Sequence, residues 1–148
     1  MKLGLDTNVL VAVSAPWHEH HNATHEALTA AVKNKVRLYV ASHVLLEWYA
    51  VLTRLPPRIR FSPEQALALI TANLELLHEV TTKRPNTHTL LTEAVRLNIS
   101  GGRIYDMAIA DALAQADVQE IWTYNVAHFS GIVPADIIVS EPRILASH

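Results

Sequence analysis

Apolar and polar positions change their period along this chain. Short runs rich in β-formers alternate with longer stretches of helical spacing. Residues 3–5, 36–41, 77–81, 120–123 and 137–139 read as strands. Between them, Trp17, His21, Thr24, Leu28 and Ala31 fall on one helical face. Val44, Trp48, Val51, Leu52 and Leu55 share another, on a helix expected over residues 42–55. Leu67, Ile70, Leu74 and Leu77 repeat the spacing. That stretch opens on a strong helix start: Ser62 caps, Pro63 takes the first helical position, and Gln65 can close a capping box. Leu90, Leu91, Ala94 and Leu97 mark a further helix, ended by residues 98–102. Residues 9–13 form a short helix behind the first strand. Residues 104–116 are apolar nearly all round, which predicts a central, buried helix.

Strands alternating with helices predict an α/β fold. We expect an about five-stranded, mostly parallel sheet with helices on both faces, a three-layer arrangement. In such sheets ligands bind at the carboxyl ends of the strands.

Composition narrows the chemistry. A chain of 148 residues suits one domain, expected over 1–148. It has no cysteine, which excludes disulfides, thiolate zinc sites, iron–sulfur clusters and cysteine nucleophiles. Half the residues are hydrophobic and 18% are charged, which argues against disorder. The formal net charge is −2, so any nucleic-acid contact must rest on a local patch or on bound cations. No segment approaches the ~18–20 apolar residues of a membrane span. Asp6 and Asn8 interrupt the apolar start too early for a secretory signal. The expectation is a soluble, cytoplasmic protein with no membrane association.

Three acids stand apart from the solvated glutamates of helix surfaces. Asp6 follows the first strand directly, at the end where open α/β sheets place chemistry. The alternative is an ordinary helix cap. Glu47 sits about 100° from the middle of its helix's apolar stripe, on the border of the buried face. There it can lean into a cleft or remain a surface glutamate. Asp106 lies in the first turn of the most apolar helix, just after Gly101-Gly102-Arg103. Burying it costs several kcal/mol unless it is paired, hydrogen-bonded or on a metal; a capping acid is the alternative. Asp111 points about 140° away from Asp106 and reads as a supporting or interface residue. Clustered carboxylates raise one another's pKa unless a cation neutralises them. Oxygen-only ligands select hard ions such as Mg²⁺ or Mn²⁺, which characteristically catalyse phosphoryl transfer.

These residues resemble a known family. Leu5-Asp6-Thr7-Asn8-Val9-Leu10 is similar to the opening of PIN domains. Ser42-His43-Val44-Leu45-Leu46-Glu47 resembles their second motif. Gly101-Gly102-Arg103-Ile104-Tyr105-Asp106-Met107-Ala108-Ile109-Ala110 resembles the third, the most specific match. Trp122-Thr123-Tyr124-Asn125-Val126-Ala127-His128-Phe129 resembles the fourth. All stand in family order, and together they span nearly the whole chain. The length, with no extra domain, looks like a VapC-type toxin of a type II toxin–antitoxin pair.

The resemblance implies a PIN-like fold and an endoribonuclease dependent on Mg²⁺ or Mn²⁺. Asp6, Glu47 and Asp106 would hold the metal and orient the attacking water. Asn8 and Thr123 would support the site by hydrogen bonds. Arg103, three residues before Asp106, is expected at the site by its position. Implied partners are the RNA substrate, a cognate VapB-like antitoxin that plugs the groove, and a second copy in a homodimer. Promoter DNA would be contacted by the antitoxin, since the chain carries no recognisable DNA-binding motif. One departure stands out. Many PIN domains carry a fourth acid where this sequence has Asn125. Asparagine offers a carbonyl oxygen but no charge, so a second metal should bind more weakly. That departure keeps open a catalytically degenerate domain that binds RNA or a protein without cutting.

RNA contacts are expected at Arg54, Arg58 and Arg60, which flank Pro56-Pro57 with Phe61 nearby as a stacking ring. Lys83 and Arg84 are weaker candidates. His18, His20, His21 and His25 cluster on one expected helix, with zinc-like spacing at His21 and His25. His21 shares an apolar face and no glutamate completes a zincin pattern, so packing is the better reading. His128 either borders the groove or packs beside Phe129. Other classes fit poorly. A haloacid-dehalogenase-type phosphatase needs an acid where Asn8 stands. A response-regulator receiver needs a phospho-accepting aspartate where Ser42 stands. A dinucleotide site needs a glycine-rich turn that the four glycines do not supply.

Overall fold

The computed structural model describes residues 1–82 and 87–146. Lys83 and Arg84 lie outside the described residues. The described chain forms a five-stranded sheet with spatial order β3-β2-β1-β4-β5. The strands are β1 (Lys2–Leu5), β2 (Arg37–Ala41), β3 (Leu77–Val80), β4 (Glu120–Trp122) and β5 (Ile138–Ser140). Every pairing is parallel. The helices are α1 (Thr7–Ser14), α2 (His21–Lys33), α3 (Ser42–Arg54), α4 (Pro63–Asn73), α5 (Thr87–Arg96), α6 (Arg103–Gln115) and α7 (Val126–Phe129). A 3-10 turn over Leu74–Leu76 leads into β3. The α/β architecture and all five strands expected from the sequence are present. Among the described residues no helix is long and apolar enough to cross a membrane.

The central strand shows how the layers assemble. Successive β1 side chains point to opposite faces. Leu3 and Leu5 are fully buried on one face, where Leu5, Leu10, Leu28, Leu38 and Trp48 line a common pocket. Gly4 faces the other way, against Leu113 of α6 and Ile121 of β4. A Cβ at Gly4 would lie 2.8 Å from Leu113 Cδ1, so glycine is what lets α6 seat closely on the sheet. α6 is the buried helix that its composition predicts, with Met107, Ile109, Ala110, Ala112 and Leu113 in the interior.

Local signals explain several boundaries. The Ser62–Gln65 capping box forms as expected, with Ser62 Oγ accepting from the Gln65 amide at 3.1 Å. β4 carries a fully buried carboxylate, Glu120. Arg143 binds both its oxygens at 2.9 Å, and Trp122 Nε1 and Ser140 Oγ also donate to it. This pins the segment after β5 to the sheet's amino edge.

Helical periodicity misplaces some side chains. α2 begins at His21, and a turn over the preceding residues leaves Trp17 half exposed. His18 and His20 therefore precede the helix rather than lie on it. Leu67 and Leu91 sit on expected apolar faces but are 62% and 47% exposed. In both helices the buried stripe is narrower: Ala66 and Ile70 in α4, Leu90 and Ala94 in α5. The 67–77 repeat is broken because the chain leaves the helix after Asn73. Phe61 packs against the core and is not presented as a free stacking ring.

Candidate active site

The sheet order creates the site. From β1 the chain steps outward through β2 and β3, then returns to place β4 on the other side of β1. The strand order reverses between β1 and β4, and a crevice opens at their carboxyl ends. Leu5 pairs with Trp122 at that end. The next residues are Asp6 and Thr123, both buried. The Asp6 amide donates to the Trp122 carbonyl at 3.0 Å, which carries the pairing one residue beyond the strand.

Asp6 caps α1, and the Thr7 amide donates to its Oδ1 at 2.8 Å. Thr123 Oγ1 donates to Oδ2, also at 2.8 Å. Capping and chemistry were alternatives in the sequence; here the same carboxylate caps the helix and faces the crevice. Thr123 is the hub of the fourth motif. Its hydroxyl oxygen accepts from Asn8 Nδ2 at 3.2 Å and from the Asn125 amide at 3.0 Å. Asn8 Oδ1 in turn accepts from the Tyr124 amide at 3.1 Å. Asn125 is the cap residue of α7 and is exposed.

Glu47 comes from α3, which starts as β2 ends. Thr7 Oγ1 donates to its Oε2 at 2.5 Å, and His43 Nε2 lies 3.0 Å from its Oε1. Asp106 is in the first turn of α6, where the helix N-terminus favours negative charge. His128 Nδ1 is 3.5 Å from its Oδ2. Arg103 donates from Nη2 to the His128 carbonyl at 3.2 Å, while its Nε is buried without a partner among the described residues.

Electrostatics bind the three acids together. Burial pushes the Asp6 carboxyl up to about 6, and the charges of Asp106 and Glu47 push the same way. Hydrogen bonds from Thr123 and Thr7 oppose the rise. Asp106 is also raised, chiefly by burial and further by Glu47, against His128 and Arg103. Asp6 thus feels the charges of both other acids, and Asp106 feels that of Glu47. Among the described residues no group of three or more His, Asp or Glu side chains is closed tightly enough to hold an ion as it stands. An anionic, all-oxygen donor set fits a hard divalent ion.

The other expected residues are placed as follows. Arg54 lines a groove with Glu47, His43 and Tyr105. Arg58 and Arg60 are exposed beyond the end of α3, and Arg60 Nε donates to the Leu55 carbonyl at 2.7 Å. Asp111 takes hydrogen bonds from Thr82 and Gln115 rather than joining the crevice. His20 stacks on Tyr124 with ring centroids 4.1 Å apart, and His21 Nδ1 lies 2.9 Å from the Ala12 carbonyl. Both are packing roles. Thr7, His43 and Tyr105 were not singled out by sequence. The one available signal was that His43 stands one helical turn before Glu47.

A buried strand-end aspartate, a helix-borne glutamate and a helix-start aspartate around the crevice of a parallel sheet define a class. The profile of the family described as "PIN domain" matches residues 2–127, and the chain belongs to that family. Its relatives are more particular. Ribonuclease VapC40 of Mycobacterium tuberculosis is 36% identical over 130 residues, covering 81% of this chain and 90% of that protein. Ribonuclease VapC27 of the same organism is 31% identical over 116 residues, covering 76% and 77%. Among solved structures, Rickettsia felis VapBC2 bound to a promoter DNA fragment superposes with a TM-score of 0.69. It is 21% identical and covers 95% of this chain and 98% of that one, a likeness of fold.

Proposed function

We propose that this chain is a metal-dependent endoribonuclease, the toxin of a toxin–antitoxin pair. The observation that carries the reading is geometric: Asp6 stands at the strand-order reversal, fixed by Thr123 and the Thr7 amide, the Thr7 hydroxyl holds Glu47 beside it, and the charge of Asp106 reaches Asp6. Kinship with named VapC ribonucleases points to RNA as the substrate.

Asp6, Glu47 and Asp106 would hold Mg²⁺ or Mn²⁺. Bound there, such an ion lowers the pKa of a water and stabilises charge on the phosphate. The chain's own residues do the positioning. Thr123 and the Thr7 amide fix both oxygens of Asp6. The Thr7 hydroxyl and His43 orient Glu47. Asn8 locks the Thr123–Asn125 turn, and Asn125 offers an uncharged oxygen at the rim. Arg103 sets the His128 backbone beside Asp106. Arg54 stands in the groove next to Glu47 as a phosphate contact, with Arg58 and Arg60 farther out. A VapB-like antitoxin would cover this groove, and a homodimer is the expected assembly of the toxin. A single domain over 1–148 is part of this reading, supported by β5, which lies beyond the family match and joins the same sheet.

A second reading keeps the fold and drops the cutting. Asn125, uncharged where many PIN domains carry an acid, favours a module that binds RNA or a protein without cutting. One experiment separates the two: cleavage of end-labelled total RNA by the purified chain freed of antitoxin. It is run with Mg²⁺, with Mn²⁺, with chelator, and with Asp106→Asn prepared identically. Discrete, metal-dependent cuts that vanish in Asp106→Asn are the expected result. Equal cutting by both proteins exposes a contaminant and sinks the enzyme. Binding without cutting by folded, metal-supplied protein selects the binding module.

A further inference from the structure

A groove of about 490 Å³ runs along α3 from Glu47 to Arg54, with Tyr105 and His43 in its wall. Tyr105 immediately precedes Asp106 and is 51% exposed. An exposed ring is usually loose, yet this one is held. It lies nearly parallel to the His43 imidazole, with centroids 4.7 Å apart and planes 11° apart. His43 is itself anchored by Glu47. The ring therefore has one face backed and a large part of its surface open, in fixed relation to two of the three acids. Leu46 at the rim is 69% exposed and adds an apolar edge.

Arg54 lies two helical turns after Glu47 on the same side of α3. Its guanidinium makes no ion pair or hydrogen bond with any described residue. A backed aromatic face beside the acids and an unneutralised guanidinium in the same groove offer the two contacts that a nucleic-acid strand takes, one for a base and one for a phosphate. Single-stranded RNA is held in this way, through stacking that tolerates any base and through phosphate charge.

Resting on the ribonuclease reading, we propose that Tyr105, backed by His43, is the stacking platform for the nucleobase beside the scissile phosphate, and that Arg54 holds the adjoining phosphate. Tyr105 thereby sets the register of the RNA against Asp106 and Glu47. The shape of the ring, not its hydroxyl, does the work.

The probe is a random-sequence single-stranded RNA pool carrying 2-aminopurine, whose fluorescence falls on stacking. Binding is measured in an Asp106→Asn background so that the RNA survives. Quenching is expected with tyrosine in place and is retained by Tyr105→Phe. Tyr105→Leu, which keeps an apolar side chain at this half-exposed position, should lose the quenching and bind about ten-fold more weakly. Arg54→Ala should keep the quenching and reduce the salt slope by about 0.7, the value of one single-strand phosphate contact. Tyr105→Leu that binds and quenches like Tyr105→Phe overturns the platform. So does Tyr105→Leu that leaves RNA binding intact and instead loosens a bound antitoxin. Either result leaves the ribonuclease reading standing if the otherwise native chain still cuts RNA; failure of that chain to cut RNA overturns the ribonuclease reading separately.

Discussion

The Thr123 hydroxyl donates to Asp6 Oδ2 at 2.8 Å across 117 positions of sequence. The same oxygen accepts from the Asn8 side chain and the Asn125 amide. One buried hydroxyl thus joins the first motif to the fourth and fixes the acid of the first.

Thr123→Val keeps the shape and removes the hydroxyl. It strips a buried carboxylate oxygen and two donors of their partner, which costs about 1–3 kcal/mol. We expect a lower urea midpoint. Cleavage should fall roughly 10–100-fold, because groups that orient ligands carry effects of that size. A folded Thr123→Val protein with native cleavage would show that Asp6 needs no help from β4.

The raised Asp6 carboxyl makes the metal-free fold sensitive to pH. Its pKa climbs from 3.8 toward about 6, so the folded chain holds this proton more tightly than the unfolded chain. The contribution to stability is complete below about pH 4 and is lost as pH rises through about 6. The loss is of order 2–3 kcal/mol. Asp106 is raised too and acts in the same sense. Urea unfolding in chelator should therefore show stability falling across this range. Asp6→Asn should flatten the fall, and an equally steep profile in that variant would refute the assignment.

Asn125→Asp adds a fourth acid at the cap of α7. The backbone bond to Thr123 is untouched, so the new carboxylate occupies the asparagine's position. Calorimetry should show tighter Mn²⁺ binding than in the native chain. Unchanged affinity would take Asn125 out of the ligand shell.

Gly4→Ala tests the seat of α6. The added methyl would meet Leu113 Cδ1 at 2.8 Å and Ile121 Cγ1 at 3.3 Å, both on fully buried side chains. Overpacking of this kind costs about 1–3 kcal/mol. A lowered Tm is expected, and a Tm equal to that of the native chain would mean that α6 has room to yield.

Much of the architecture is written in local pattern. The five strands follow from short β-forming runs, and the α4 start follows from Ser62-Pro63-Glu64-Gln65. The burial of α6 follows from its nearly all-apolar circumference. These are contacts between near neighbours, or burial of a whole element, so composition reports them. Asp6 and Asp106 stand out by position, at a strand end and in an apolar helix, where a bare carboxylate is costly. For Glu47 position alone leaves a surface glutamate open, and only the resemblance to PIN domains groups the three acids.

Tertiary structure decided the rest. Which side of β1 receives β4 places the crevice, and no local pattern encodes a strand's neighbour. Leu67 and Leu91 are exposed because helical spacing defines a stripe but not how much of it finds a partner. Phe61 looked like a free ring beside three arginines and instead packs against the core. The bond from Thr7 to Glu47 and the stack of His43 on Tyr105 join residues far apart in the chain. A side chain's chemistry is set by its type, which the sequence states. Its pKa, its partners and its exposure are set by what folding brings within a few ångströms, and that is a property of the whole chain.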